Sequence, residues 1–389
     1  MSSNPRKFDE NIKAECVYDG GDTLKVPAEL WPDAASPEEA AAQVRDKGQL
    51  LGTIKETLCE LAGRCCYDSL GQGRDSAQYW EHIRGVKHLS VVEHAYFTVQ
   101  LKTMKDADFV MTLAALMNRR GVWVSFDMVH GLRVTLNVRA LLEWKKWSDK
   151  SFGEQSIGGP ILDFCDRFGN SLYVLIQPMV PLILPWVGHL NGQDSLSHTF
   201  GRLIEPIGPH ENHISMYLAA SRGDSHEQVR HRENISQRST RYVDEDGSPW
   251  VQHPLIAAYV AATGDDEIIQ LTLDTIGNAR GTYSAIVAKL QPWLSGRGVD
   301  KLTARKQARG AARGYLGNAL KTAMIFTTSV DGWREILFQR LNGAADAEIR
   351  WKNHLVLQEL RKGRFADYFA DLKEIPAKDG LGFELEITK

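Results

Sequence analysis

The sequence predicts a protein of the α+β class, and three stretches of the chain support this prediction. Residues 96–101 and 213–219 are rich in β-branched and aromatic side chains, which favour β-strands. Residues 267–290 instead repeat apolar side chains at the spacing of an amphipathic helix. Short strands are thus combined with long helices in one chain.

The composition is that of an ordinary globular protein. The chain has 389 residues, 43% of them hydrophobic and 24% charged, and its length alone suggests two or three domains. A formal net charge of −3 argues against a nucleic-acid-binding protein that relies on a basic field. A small anionic ligand needs only a local basic site.

The cysteines and the apolar segments predict a cytoplasmic protein that neither crosses nor binds a membrane. The N-terminus lacks the apolar core of a signal peptide, and Pro178, Pro181 and Pro185 interrupt the most apolar window. The five cysteines form neither a CxxC pair nor a zinc-binding spacing, which suits a reducing compartment and predicts no metal site. They are Cys16, Cys59, Cys65, Cys66 and Cys165.

The N-terminal part begins with an extended lead-in, residues 1–35, and continues as helix. Ser36 and Glu39 form a capping-box pattern, and the helix that follows is expected to run in two pieces to Cys66. The strand at 96–101 comes next. His82, His88 and His94 precede this strand at intervals of six residues, which match no common zinc-binding spacing.

The C-terminal part is predicted to be mostly helical. Asp265 and Asp266 cap a long helix that Pro292 should end, and a second helix is expected over 303–326. A final long helix should contain both Arg340 and residues 345–350. Residues 36–362 are then one domain, and residues 363–389 are a peripheral tail.

The stretch from His226 to Tyr242 is the most unusual part of the sequence. Arg230, His231 and Arg232 stand together, and Glu227 and Glu233 only flank them. Arginine forks bind phosphate in bidentate fashion, so the stretch favours an anion or nucleotide site. The alternative is a solvated charged face.

This stretch resembles the signature of the flavin-dependent thymidylate synthases. The resemblance rests on Gln228, on Arg230-His231-Arg232 and on Ser239-Thr240-Arg241-Tyr242. The block from His88 to His94 is similar to a flavin-side motif of the same family. Residues 63–69 and 345–350 resemble two further family segments.

The resemblance implies a twisted β-sheet flanked by long helices, with a large insertion at about residues 102–205. It implies reductive methylation of dUMP to dTMP, in which methylenetetrahydrofolate gives the carbon and FAD relays hydride from NADPH. A homotetramer with shared active sites is expected, and a homodimer is possible. The competing hypothesis is a homologue that binds flavin and nucleotide but has lost catalysis.

The resemblance also implies roles for individual residues. Arg340 is expected to face the uracil ring and stabilise negative charge there, and no residue is expected to act as a covalent nucleophile. Ser239 has only His231 near it in sequence, and two arginines oppose the protonation of that histidine. The expected substrate contacts are Gln228, Arg230, Ser239, Thr240, Arg241, Arg313 and Arg340. The expected flavin contacts are Ser90, Arg230, His231, Arg232 and Gln237.

One family motif, an Asn-x-Arg about nine residues before the catalytic arginine, is absent from its usual place. Ser329-Val330-Asp331 stands there, whereas Asn137-Val138-Arg139 carries the pattern elsewhere. We therefore expect residues 121–147 to supply the flavin contacts, through Asn137 and Arg139. The alternative is that Asn137 only caps a helix and Arg139 is solvated.

Overall fold

The computed structural model describes residues 11–101, 121–129, 131–140 and 201–386. Their strands form two four-stranded sheets and a small hairpin of strands β9 and β10, and the two large sheets have the orders β1-β6-β8-β7 and β3-β4-β2-β5. The strands are β1 Lys13–Tyr18, β2 Tyr96–Leu101, β3 Val122–Asp127, β4 Gly131–Asn137, β5 Gly201–Ile204, β6 His213–Ser221, β7 Asn234–Gln237, β8 Lys321–Ser329, β9 Glu374–Pro376 and β10 Phe383–Leu385.

Helices cover the sheets and connect their strands. A 3₁₀ segment, Leu89–His94, precedes β2, and another, Val229–His231, follows α4. The α-helices are α1 Pro37–Asp46, α2 Ile54–Tyr67, α3 Ser76–Val86, α4 Arg222–Gln228, α5 Pro254–Thr263, α6 Glu267–Gly296, α7 Lys301–Ala312, α8 Val330–Arg340 and α9 Ala347–Leu360.

The core lies on both faces of the first sheet. All nine residues of β6 and all nine of β8 are buried. Met216 and Phe326 point toward Trp333 of α8 and the apolar side of α9. Tyr217 and Ile325 point to the opposite face, where α1 and α2 pack. Alternate side chains of each strand thus enter different halves of the core.

Both large sheets contain the same local arrangement, here called a corner. In each corner the start of one strand pairs with the end of another, which leads into a helical turn. The first residue of β2 pairs with the last of β4, Tyr96 with Asn137, and the first of β6 pairs with the last of β8, His213 with Ser329. Each second strand ends in a residue whose side chain caps a following helical turn: Asn137 accepts from the backbone N–H of Ala140, and Ser329 from that of Gly332. The rings of Tyr96 and His213 stack with centroids 3.5 Å apart where the two corners meet.

Several predicted elements agree with the structure. The strand predicted at 96–101 is β2, the strand at 213–219 is the greater part of β6, and Ser36 caps α1 by accepting from the backbone N–H of Glu39. The mixed helix and sheet content is that of an α+β protein. The apolar spacing of residues 108–117 also predicts a helix, but these residues lie outside the described ones.

The helix predicted over 303–326 is wrong in its second half. Helix α7 ends at Ala312, and residues 321–329 are the central strand β8. Both faces of β8 are buried, so its sequence shows no polar alternation that would identify a strand. Its partners β6 and β7 decide its conformation.

Three further predictions about the C-terminal part are wrong. Pro292 does not end α6, which continues to Gly296, because a proline costs one internal hydrogen bond without forcing the helix to stop. The final helix is two helices, α8 and α9, separated by residues 341–346. The tail is not peripheral, since Phe369, Leu372 and Leu385 are buried in the core.

Residues 11–35 and the described part of the insertion also belong to the sheets. Strand β1 pairs with β6, so the N-terminal lead-in forms an edge of the first sheet. Strands β3, β4 and β5 come from residues 102–205 and build the second sheet around β2. None of the helices in the described ranges is both long and apolar enough to span a bilayer.

Candidate functional site

A tight turn between α4 and β7 carries the Arg-His-Arg sequence. Ser221 caps α4 by accepting from the backbone N–H of Asp224, at 3.1 Å. After the 3₁₀ segment Val229–His231, Arg232 adopts a left-handed conformation with φ of 59°. This conformation reverses the chain into β7 and costs a non-glycine residue roughly 1–2 kcal/mol.

Three arginines of the signature are available to a ligand. Arg230, Arg232 and Arg241 are exposed, and none of their guanidinium groups has a hydrogen bond or ion pair within the described part of the chain. A solvated charged face would pair such groups with neighbouring carboxylates. Three unpaired guanidinium groups instead suit an anionic ligand with several oxygens.

Arg340, the last residue of α8, lies against the signature turn. Its Nε donates to Nε2 of His231 at 2.9 Å, and its terminal nitrogens donate to the side chain and the carbonyl of Glu227, at 2.7 and 3.0 Å. Because Nε2 of His231 accepts, its proton must be on Nδ1. Burial, together with Arg340 and Lys352, lowers the pKa of His231 to about 4, so the ring is neutral at pH 7.

Arg313 lies against the last four residues of the signature, Ser239–Tyr242, which form its closing block. It follows α7 directly, and its guanidinium donates to Oγ1 of Thr240 at 3.4 Å. Ser239 is anchored through its backbone N–H, which donates to the carbonyl of Cys66 at 2.9 Å. Among the described residues its hydroxyl contacts no histidine, so no base is in place to activate Ser239 as a nucleophile.

The motif His88–His94, which precedes β2, lies next to the closing block of the signature. The ring nitrogens of His88 are hydrogen-bonded to the hydroxyls of Tyr67 and Ser90, at 2.9 and 3.0 Å. Tyr67 also meets the ring of Tyr242 edge-on, with centroids 4.9 Å apart. Burial lowers the pKa of His88, and the charges of His82 and Arg139 lower it further.

Comparison with known proteins agrees with this arrangement. Residues 210–363 match the family model described as thymidylate synthase complementing protein. These residues are therefore similar to the flavin-dependent thymidylate synthases.

Curated relatives carry the name flavin-dependent thymidylate synthase. The protein of Mycobacterium sp. (strain KMS) is 37% identical over 172 residues, which cover 43% of this chain and 65% of the relative. The proteins of Mycobacterium avium (strain 104) and Mycolicibacterium gilvum (strain PYR-GCK) are 34% identical over 173 and 151 residues. Those matches cover 43% and 38% of this chain, and 64% and 56% of the relatives. The chain thus spans between 56% and 65% of the length of these relatives.

The residues of this candidate site fit a flavin dinucleotide. Its phosphates need cationic donors, and the unpaired Arg230 and Arg232 supply them on the exposed side of the turn. Ser90 is linked through His88 to Tyr67, whose ring meets that of Tyr242. The site therefore has donors for an extended anionic ligand.

Two glutamines of the signature are engaged within the protein. Gln228 is fully buried, and its Oε1 accepts from Nζ of Lys352 at 3.0 Å. Gln237 donates to the hydroxyls of Ser225 and Thr322, at 3.0 and 3.2 Å. The flavin contact expected of Gln237 would compete with these two bonds.

The Asn-x-Arg of the second sheet and its missing counterpart occupy equivalent corners. Asn137 ends β4 as Ser329 ends β8, so Arg139 stands where Asp331 stands in the other corner. Asn137 is buried and caps the turn at Ala140, as the alternative hypothesis expected. Asp331 accepts from the hydroxyl of Tyr368, in the C-terminal tail.

Sequence reasoning missed four residues of the candidate site. Glu227 binds Arg340, Tyr67 binds His88, and Lys352 binds both Asp224 and Gln228. Glu348 accepts from the backbone N–H and the hydroxyl of Ser221, at 2.7 and 2.9 Å. For Lys352 the only signal was a charged residue on the apolar side of a predicted helix.

Proposed function

We propose that the protein is a flavin-dependent thymidylate synthase that methylates dUMP reductively to dTMP. Methylenetetrahydrofolate gives the carbon, and NADPH is the source of the hydride. The observation that carries the proposal is the set of unpaired guanidinium groups of Arg230, Arg232 and Arg241, in a signature that two further arginines contact at Thr240 and His231.

The nucleotide is held by the signature and by the arginines that meet it. Arg230, Ser239 and Arg241 present donors to the phosphate, while Thr240 and Arg313 close that end of the site. Arg340 lies at the other end, on His231. Its charge would stabilise negative charge on the uracil ring as N3 ionises.

The flavin would be held on the side of the His88–His94 motif. Arg230 and Arg232 would bind its phosphates, His231 and Gln237 would contact it from the signature, and Ser90 would contact its adenylate part. When bound, the flavin supplies to the transferred carbon the hydride that it receives from NADPH. The protein contributes position and charge, and Ser239 is a substrate contact and not a nucleophile.

The proposed homo-oligomer, a homotetramer or a homodimer, is supported by helix α6. Of its thirty residues only Tyr283 is buried, and Leu271 and Leu273 expose more than half of their surface. Apolar side chains left open along one helix suit contact between subunits. Light scattering of the purified protein would measure the oligomer directly.

The decisive experiment measures cofactor and product together. Purified protein should be yellow, or become yellow with FAD, and should oxidise NADPH faster when dUMP and methylenetetrahydrofolate are present, with dTMP as product. Protein that takes up no FAD contradicts the proposal.

The second candidate is a homologue that binds flavin and dUMP but does not turn over. The ion pair of Arg340 with Glu227 favours it, because this arginine already uses its fork within the protein. FAD and dUMP binding without any dTMP would establish this candidate in place of the first.

We also propose that Arg139 has taken over the flavin contact that Asp331 cannot make. FAD affinity is measured for Asn137→Ala, Arg139→Ala and Asp331→Ala. Arg139→Ala should weaken FAD about tenfold or more, in line with the loss of one charge-assisted bond. Asp331→Ala should leave it unchanged. Unchanged affinity in both Asn137→Ala and Arg139→Ala contradicts the relocation.

A further inference from the structure

Lys352 is a fully buried lysine on α9 whose partners are both on α4. Its ammonium donates to Asp224 and, at 3.0 Å, to Oε1 of Gln228. Lys352 and Asp224 each have side chains no more than 1% exposed. A lysine is seldom buried completely unless it is paired, so this contact fixes α9 against α4.

A second contact joins the same two helices one turn away. Glu348, four residues before Lys352, binds the backbone N–H and the hydroxyl of Ser221, the cap of α4. Helix α4 is therefore held at its N-cap by Glu348 and at its last residue by Lys352. The Arg-His-Arg turn starts directly after that held residue, Gln228.

The contact also decides which way the amide of Gln228 points. An ammonium group has three donors and no acceptor, so only the amide oxygen can face Lys352. The Nε2 group must then face away from the lysine. This Nε2 is buried and has no hydrogen-bond partner among the described residues, which leaves one oriented donor in the signature.

We propose that Lys352 is a positioning residue that fixes the Gln228 amide so that Nε2 donates to an acceptor oxygen of the bound nucleotide. This inference rests on the proposed function, because the ligand is taken to be dUMP. The acceptor is a phosphate oxygen or a carbonyl oxygen of the base. Without Lys352 the amide can turn over and present its oxygen, which repels either acceptor.

The test replaces the lysine without leaving its partner charged and buried. In the double variant Asp224→Asn/Lys352→Met both charges are removed and the volume is nearly kept. Isothermal titration with dUMP should show about tenfold weaker binding, whereas the affinity for FAD should stay within about twofold. Lys362→Met, at an exposed lysine after α9, is the matched control and should change neither affinity.

Gln228→Glu tests the same idea without touching the lysine. A carboxylate can still accept from Lys352, but it has lost the donor, so dUMP should bind at least tenfold more weakly in a folded protein. Deoxyuridine, measured alongside, locates the acceptor. A loss seen with dUMP but not with deoxyuridine places the acceptor on the phosphate, and a loss with both places it on the nucleoside.

The inference is overturned if the folded variants bind dUMP as the wild type does, or if dUMP and FAD weaken equally. The second result is what a purely structural role for Lys352 would give, and circular dichroism with a thermal melt confirms that each variant is folded. A wild-type protein that binds neither FAD nor dUMP contradicts the proposed function instead. The two failures are thus distinguishable.

Discussion

His94 makes the stability of this protein depend on pH in a way that one substitution should reveal. The side chain is buried between the sheets, where Nδ1 meets Oγ1 of Thr327 at 2.7 Å and Nε2 meets Oγ of Ser236 at 2.9 Å. Burial lowers its pKa to about 3. The neutral ring is therefore the form that the folded protein holds.

The sign and size of the effect follow from that pKa. Unfolded histidine titrates near pH 6.5, so on acidification the unfolded chain takes up a proton that folded His94 refuses. Above pH 6.5 the full stability is present. Below it, each pH unit costs about 1.4 kcal/mol until the folded pKa is reached, hence about 2 kcal/mol at pH 5. Buried His213, whose pKa burial also lowers to about 3, adds a similar loss.

Urea unfolding at several pH values between 5.0 and 7.5 measures the loss. In His94→Gln the amide can still reach both hydroxyls and has no proton to gain, so this variant should lose about 2 kcal/mol less than the wild type between pH 7 and pH 5. His226→Gln, at an exposed position of α4, is the control and should keep the wild-type slope. Identical slopes for His94→Gln and the wild type would refute the reasoning.

Three substitutions in the site give further predictions. Arg230→Lys should raise the Kd of FAD and of dUMP by two to four powers of ten, since about two charge-assisted bonds are worth roughly 3–6 kcal/mol; near-normal turnover would contradict this. Arg232→Gly should be about 1 kcal/mol more stable to urea than Arg232→Ala, because only glycine adopts a φ of 59° without strain, and equal stability would argue against it. Tyr67→Phe keeps the ring on Tyr242 but loses the bond to His88, so FAD titration should show about fivefold weaker binding, and an unchanged Kd would exclude this role.

The parts of the fold that sequence reasoning could find were those with local signals. Strand β2 is rich in β-formers, and α1 has a serine cap, so neither needs distant partners to be identified. Strand β8 has no such signal, because its buried residues Lys321–Ser329 face a core on both sides. Its conformation depends on β6, more than a hundred residues earlier in the chain.

The candidate site likewise combines residues that a local motif identifies with residues that come from distant parts of the sequence. The motif predicts a group of ligand-binding arginines, and the side chains of three of them are exposed and unpaired in the described structure. The residues that orient the motif come from far away in sequence: Lys352 lies 124 residues after Gln228, and Arg340 lies 113 residues after Glu227. No spacing rule relates such pairs, since only the packing of α9 and α8 on α4 brings them together.

The order of the first sheet has a consequence for how the protein is made on the ribosome. The apolar sides of α1 and α2 are covered by β6 and β8, and Leu58 must wait for Ile325, which is translated roughly 270 residues later. At about 5–20 residues per second this delay is on the order of 15–50 s. During that time the nascent N-terminal helices expose the surface that they later bury. A shortened chain that stops before β8 should therefore collect on chaperones or aggregate, even though its N-terminal half is intact.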